Sequence, residues 1–410
     1  MKMRILHIID LANIGGVERI FSEFLNAPSP YPVEHFILSE RNAIAQPIRD
    51  NVLEHARLVT VRDYGVFRVP KWPKSKWLRK ARRRQCIKNI APDLIVVWNQ
   101  FTDVVFPTKC PVIYYEHGGS WYTHAQQFVQ KFFAQIDAII AVSHAAKRIL
   151  QLKYHVQQPV HVRKNVLLDS AWPSMPIMSR HGLDGSQPVR LGSAGRLAPV
   201  KCMGLLILTA KVLKEKGCAV TVTIAGEGKE RSVLENLIEQ HGLQQEVRLL
   251  GLQNNLDDFY QNIDIYLCPS MHESFGLTNL EAAAWGIPTI TGKADGMVES
   301  VQDGITGLCL EPTLDVDDYL QRTHATPEYS PLIYWPNTDT IAPPKMLDPE
   351  TIADAVIALR DDPARYQKLS QQALTESRKQ ERFAMLALDL YRFFDEQVTR
   401  KRGARDTHNH

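Results

Sequence analysis

Short runs rich in Val and Ile alternate with stretches of helical period along most of the chain, and the alternation stops once and then restarts. The first series of candidate strands is Arg4–Ile9, His35–Ser39, Leu58–Val61, Leu94–Trp98, Val112–Glu116, Ala138–Val142 and His161–Arg163. Near-continuous apolar strands separated by helices mark a parallel sheet covered on both faces. A polar, proline-bearing stretch, Ala171–Pro188, breaks the rhythm and reads as a linker. Beyond it come strands Val189–Ala194, Ala219–Ala225, Val247–Leu250, Ile265–Cys268 and Pro288–Ile290, with helices predicted over Cys202–Lys216, Glu230–His241, Leu256–Ile263 and Leu277–Trp285. Two doubly wound α/β domains facing each other across a cleft are expected, over residues 1–180 and 181–383. Residues 313–347 carry five prolines and read as a long inserted loop, a lid or contact surface. A helix over 384–400 and a disordered tail over 401–410 complete the expected layout.

Composition narrows the setting. The 410 residues are 44% apolar and 23% charged, as in an ordinary globular protein, so extensive disorder is not expected. The six cysteines are scattered with no C-x-x-C pair, which argues against a disulfide framework or zinc site and for a reducing cytoplasm. No apolar run reaches the ~20 residues of a membrane span. The apolar start is broken by His7 and Asp10 and reads as a first strand rather than a leader. The net charge of +3 conceals an imbalance: residues 1–180 hold 25 Lys/Arg against 13 Asp/Glu, and the remainder is acidic.

The densest chemical signal is Glu273-Ser274-Phe275-Gly276-Leu277-Thr278-Asn279-Leu280-Glu281, which follows a strand and runs into a helix. Free amides at such a helix start attract an anion, a phosphate above all. The flanking carboxylates Glu273 and Glu281 suit sugar hydroxyls; the plainer alternative makes Glu273 a cap and Glu281 a solvated charge. Arg196 and Lys201, in the loop after Val189–Ala194, combine a planar fork with a point charge and can be aimed at a diphosphate. Strand carboxyl ends are where ligands sit in doubly wound folds. In the first half, Gly15 and Gly16 allow close backbone approach but lack dinucleotide or P-loop spacing. His117, beside Gly118 and Gly119 at a strand's end, faces the expected cleft.

The set G-G-V-E-R (Gly15–Arg19), E-H-G (Glu116–Gly118), G-R-x4-K as Gly195 to Lys201, A-G-E-G (Ala225–Gly228), E-S-F-G-L-x3-E (Glu273–Glu281) and E-S-V-x-D-G-x-T-G-L (Glu299–Leu308) resembles the retaining GT-B glycosyltransferases of family four, the glycosyltransferase group-one family. The resemblance covers most of residues 1–312. It implies two facing Rossmann-like domains, with the final helix returning to the first. It also implies that Arg196 and Lys201 bind the donor diphosphate, Glu281 holds the ribose and Glu273 contacts the donor sugar. Phe275, Gly276 and Leu277 would supply amides, Gly16 would approach the phosphates, His117 would sit near the anomeric carbon, and Leu252 would frame the base. Glu227 would lie at the same cleft. The chain departs from the pattern at Cys202-Met203-Gly204 after the lysine and at Asn165-Val166-Leu167.

The expected reaction is sugar transfer from a nucleotide diphosphate, UDP favoured over GDP, to a glycan or lipid-linked acceptor in lipopolysaccharide, O-antigen or capsule assembly. No cofactor is expected, and no Asp-x-Asp motif stands out to hold Mn²⁺, so metal-independent transfer is expected. Arg68 to Lys88 holds ten Lys/Arg and no acid, interleaved with Trp72 and Trp77. Docking to an anionic membrane surface at the inner face of the cytoplasmic membrane is preferred over nucleic-acid binding. A nucleotide-sugar epimerase and a two-domain sugar-binding protein are the competing readings.

Overall fold

The computed structural model describes residues 2–40, 43–61, 63–64, 67–68, 76–183 and 185–406. The first domain is built on a seven-stranded parallel sheet in the order β3-β2-β1-β4-β5-β6-β7. Its strands are β1 (Met3–Ile8), β2 (Val33–Ser39), β3 (Ala56–Thr60), β4 (Leu94–Trp98), β5 (Val112–Glu116), β6 (Ala138–Ala141) and β7 (Val160–Val162). The second domain carries six parallel strands in the order β10-β9-β8-β11-β12-β13. These are β8 (Val189–Ala194), β9 (Val220–Ala225), β10 (Val247–Gly251), β11 (Ile265–Cys268), β12 (Thr289–Gly292) and β13 (Gly307–Leu310). Every residue of β4 and β5 is buried, which explains their apolar run up to Glu116 at the end of β5. In both sheets the winding reverses beside the first strand, and the crevice outside the strands' carboxyl ends at such a point is where a ligand fits.

Helix Phe383–Asp406 leaves the second domain and packs on the first. Tyr391 stacks at 4.8 Å on Phe24, Tyr31 Oη donates to the Tyr391 carbonyl at 2.6 Å, and Asp389 pairs with Arg163. A buried polar relay joins this helix to the sheet. Trp98 Nε1 donates to His7 Nδ1, and His7 Nε2 lies 2.9 Å from His35 Nδ1. His35 Nε2 in turn meets the Tyr391 hydroxyl at 3.2 Å. Because the indole can only donate, each ring along the relay has its tautomer assigned: His7 donates to His35, which donates to the tyrosine.

Two expectations are corrected. The tail expected to be disordered from 401 instead continues the helix to Asp406, where Lys401 pairs with Asp137 and Arg402 with Asp93 at 2.6 Å; residues 407–410 lie outside the described residues. Residues 313–347 are not a loop. They form helix Val316–Thr323, a hairpin of Ile333–Trp335 with Thr340–Ala342, and a pairing of Leu314–Asp315 with Lys345–Met346. Strands of two or three residues are too short to show a period. The insertion grips the first domain: Ser330 Oγ donates to the Trp121 carbonyl at 2.7 Å, and Arg148 makes a two-pronged ion pair with Asp339 at 2.7 Å.

Candidate active site

The carboxyl ends of β8 and β11 bring the two strongest motifs together. Met271 N donates to the Val200 carbonyl at 3.0 Å and Gly296 N to the Glu273 carbonyl at 3.0 Å, so the loops are knitted through their backbones. Lys201 ends a short 3₁₀ turn, Pro199–Lys201, and its ammonium pairs directly with Glu273. Burial opposes the lysine's charge, but the Glu273 carboxylate more than offsets it and the Lys201 pKa is raised. Arg196, on the same loop, is exposed.

Gly276 has φ 97° and opens helix Leu277–Ala284. A side chain there would meet Asn279 Nδ2 at 2.5 Å, so only glycine turns the chain this tightly. Among the described residues nothing accepts from the amides of Phe275, Gly276, Leu277 or Thr278, which leaves the helix start ready for an anion. Glu281 is buried on the next turn, accepting from Tyr260 Oη at 2.8 Å and facing Arg19 of the first domain at 3.4 Å. The plainer alternative is thereby excluded: Glu273 does not cap the helix and Glu281 is not solvated.

Across the cleft, Gly15 and Gly16 start helix Gly16–Asn26, and a methyl group on Gly16 would lie 3.3 Å from Leu277. Glu116 is fully buried and holds its own loop, accepting from Tyr114 Oη at 2.7 Å and from the amides of Gly118 and Ser120. His117 stacks on Trp98 at 5.6 Å, and neither ring nitrogen has a partner. Burial pushes its pKa down to about 3, so the ring is neutral. A buried polar ring without partners is uncommon.

Other expectations fare differently. Phe275 is buried beneath the loop. Leu252 is largely exposed, and Glu227, in the loop before helix Arg231–Gln240, forms an ion pair with Arg231. The A-G-E-G glycines serve packing: side chains on Gly226 and Gly228 would collide with the carbonyls of Gly195 and Leu197, at 1.8 and 2.3 Å. The chain does hold one Asp-x-Asp, Asp315-Val316-Asp317, but both carboxylates are exposed on the insertion, and Asp315 faces Lys345. In the basic segment, Lys71, Trp72 and Lys74 lie outside the described residues. Within helix Lys76–Ile90, Arg83 binds both Glu40 and Asp103, Arg79 faces Glu40 and Lys80 faces Asp103, while Trp77 is 73% exposed.

The sequence reading assigned no role to several residues that close the cleft. Glu299 reaches from the second domain to accept from the amides of His144 and Ala145, at 3.0 and 2.9 Å, capping a first-domain helix. His272, Asp295 and Trp121 form a buried cluster at the same seam. Glu299 lay inside a recognised motif; Asp295 and Trp121 become visible only once the insertion and both domains meet.

Residues 14–166 match the family model "Glycosyltransferase Family 4", and residues 178–324 match "Glycosyl transferases group 1". The chain is a GT-B glycosyltransferase of family four. This glycosyltransferase is 24% identical over 295 residues, 72% of its own chain and 79% of the relative, to the lipopolysaccharide core biosynthesis glycosyltransferase LpsD of Rhizobium meliloti. It is 33% identical over 155 residues to a D-inositol 3-phosphate glycosyltransferase of Saccharomonospora viridis, where it covers only 36% of that protein. Its fold is that of Anabaena HepE, solved with UDP and glucose (TM-score 0.67, 16% identity, 96% of this chain and 99% of that one), and of WaaG, a glycosyltransferase involved in lipopolysaccharide biosynthesis (TM-score 0.64, 14% identity, 95% and 99%). Among the described residues no helix is long and apolar enough to cross a membrane.

Proposed function

We propose that this glycosyltransferase moves a sugar, with retention of anomeric configuration and without a metal ion, from a UDP-sugar to a glycan or lipid-linked acceptor in lipopolysaccharide or related surface-polysaccharide assembly. The observation that carries the reading is the convergence of Lys201, Glu273 and four free amides at a helix start, opposite His117 and Gly16. Cleavage of the anomeric C–O bond leaves negative charge on the diphosphate, which Lys201, Arg196 and the helix amides are placed to stabilise. The acceptor oxygen bonds to the anomeric carbon on the same face, and its proton passes to the departing phosphate oxygen. Glu281 would take the ribose hydroxyls in place of Arg19. The names of LpsD and WaaG support the surface-polysaccharide assignment, and HepE's ligands support UDP.

Docking at the inner face of the cytoplasmic membrane belongs to the same proposal. Beside helix Lys76–Ile90 lies a cavity of about 580 Å³, floored by Ile87, Phe106 and Val398 and rimmed by Arg84, Lys88 and Lys109. Apolar floor and cationic rim suit an anionic amphiphile. A panel of UDP- and GDP-sugars tests the donor site: UDP-sugars should raise the melting temperature, and nucleotide release should depend on added acceptor. Absence of any nucleotide-dependent shift would refute the proposal, and inversion at the anomeric carbon, read by NMR of the product, would refute retention.

A further inference from the structure

Asp295 is fully buried and holds φ 47°, a left-handed conformation that a non-glycine residue keeps only when its surroundings enforce it. Its carboxylate is committed on both oxygens. Oδ1 accepts from Trp121 Nε1 at 3.0 Å and from the Tyr334 amide at 2.7 Å, and Oδ2 lies 2.9 Å from His272 Nδ1. Indole and amide can only donate, so Asp295 stands as the acceptor of this cluster and the proton of the third bond belongs to His272 Nδ1. The imidazole is fixed in plane as well, stacked on Trp121 at 4.4 Å and 27°. Four parts of the fold therefore meet at one carboxylate: β5's following loop, β11's loop, the turn after β12, and the inserted hairpin.

The other nitrogen points at the cleft. Nε2 lies 3.8 Å, and Ser274 Oγ 3.6 Å, from the point where a side chain on Gly118 would begin. Among the described residues no group bonds to Nε2. Gly118 follows His117, and His272 precedes Glu273, so this gap opens between the two residues placed at the transferred sugar.

We infer that His272 contacts substrate, its bare Nε2 lone pair accepting a hydrogen bond from a sugar hydroxyl, and that Asp295 is a positioning residue that selects the tautomer able to do so. The inference rests on the reading of this cleft as the sugar-transfer site. The hydroxyl belongs either to the donor sugar or to the acceptor, and the two are separable by experiment.

Two variants keep the packing while changing the chemistry. Asp295→Asn retains an oxygen for Trp121 and Tyr334 but turns an NH₂ toward His272 Nδ1, forcing the proton onto Nε2. His272→Phe keeps the stack on Trp121, leaves two of Asp295's three donors in place and removes the acceptor. Nitrogen-15 NMR of the imidazole should show the Nδ1–H tautomer in the wild type and Nε2–H in Asp295→Asn. UDP affinity should stay within about twofold in both variants. Loss of one neutral hydrogen bond is about tenfold. If the hydroxyl is the donor's, both variants should hydrolyse UDP-hexoses and transfer to an alkyl glycoside about tenfold more slowly. If it is the acceptor's, hydrolysis should be unchanged and only transfer should fall. A wild-type ring protonated at Nε2, or wild-type hydrolysis and transfer in both variants, would overturn the inference. If the wild type binds no nucleotide at all, the donor-site reading fails instead, and the tautomer measurement alone decides this one.

Discussion

Lys201 and Glu273 are expected to respond to mutation in opposite directions. Without donor, the ammonium is satisfied by the carboxylate, with side chains only 26% and 17% exposed. A diphosphate that binds Lys201 meets the negative charge of Glu273 beside it, and the carboxylate acts as an internal competitor. A charge-assisted pair of this exposure is worth about 1–2 kcal/mol net. Glu273→Gln should accordingly bind UDP about 5- to 30-fold more tightly, at about 1.4 kcal/mol per tenfold. Lys201→Ala removes the charge-assisted contact itself, worth about 1.5–3 kcal/mol, and should weaken UDP about 10- to 150-fold. Turnover should fall in both: in Lys201→Ala by about 100- to 1000-fold, the scale of losing one preorganised donor at developing charge, and in Glu273→Gln because the freed carboxylate no longer meets the sugar. Titration calorimetry with UDP and steady-state nucleotide release measure the two effects separately. If Glu273→Gln weakens UDP as Lys201→Ala does, the competition argument is wrong. If Lys201→Ala leaves UDP affinity untouched, the diphosphate does not sit there.

Three other outcomes follow from the same geometry. Burial depresses His117 to about 3 and His35 to about 4, and lowers His7 well below the ordinary value, so the unfolded chain binds more protons and stability falls as pH drops below about 6.5. For His117 this amounts to about 2 kcal/mol between pH 7 and 5; the stability difference between pH 7 and 5, read by urea denaturation, should shrink by that amount in His117→Phe, and an unchanged pH slope would show the ring is not buried neutral. Gly296→Ala would set a methyl 2.1 Å from the Ser274 carbonyl and should destabilise by about 2 kcal/mol or more and abolish UDP binding, as thermal shift would show. Trp77→Ala should reduce co-sedimentation with phosphatidylglycerol vesicles at low salt but not with phosphatidylcholine; equal recovery of the wild type on both lipids would remove the membrane proposal.

The sheets were legible because their central strands are almost wholly buried: Leu94–Trp98, Val112–Glu116, Val189–Ala194 and Ile265–Cys268 run between the same residues in sequence and structure. The loops carrying Lys201 and Glu273 could be located because they follow such strands. What failed to show was whatever depends on two distant segments meeting. The pairs of the insertion are two or three residues long, and their order comes from Trp121 and Arg148 in the other domain. The last turn of the final helix looks like a charged tail until Asp93 and Asp137 supply partners. Asp295 is one acid among many in the sequence; only its burial and its three donors set it apart.

Glu299, Asp295, Ser330 and Asp339 all join the two domains along one flank, formed by Trp121 after β5 and helix His144–Tyr154 after β6. A cleft fastened at one side cannot widen by its lobes simply drawing apart. Opening about the fastened side would break the Arg19–Glu281 contact, with the greatest travel at the far side, near β3 and β10. The nucleotide would then enter by the swinging edge. The seam beside His272 would scarcely move through the cycle, and its alignment would persist from one turnover to the next.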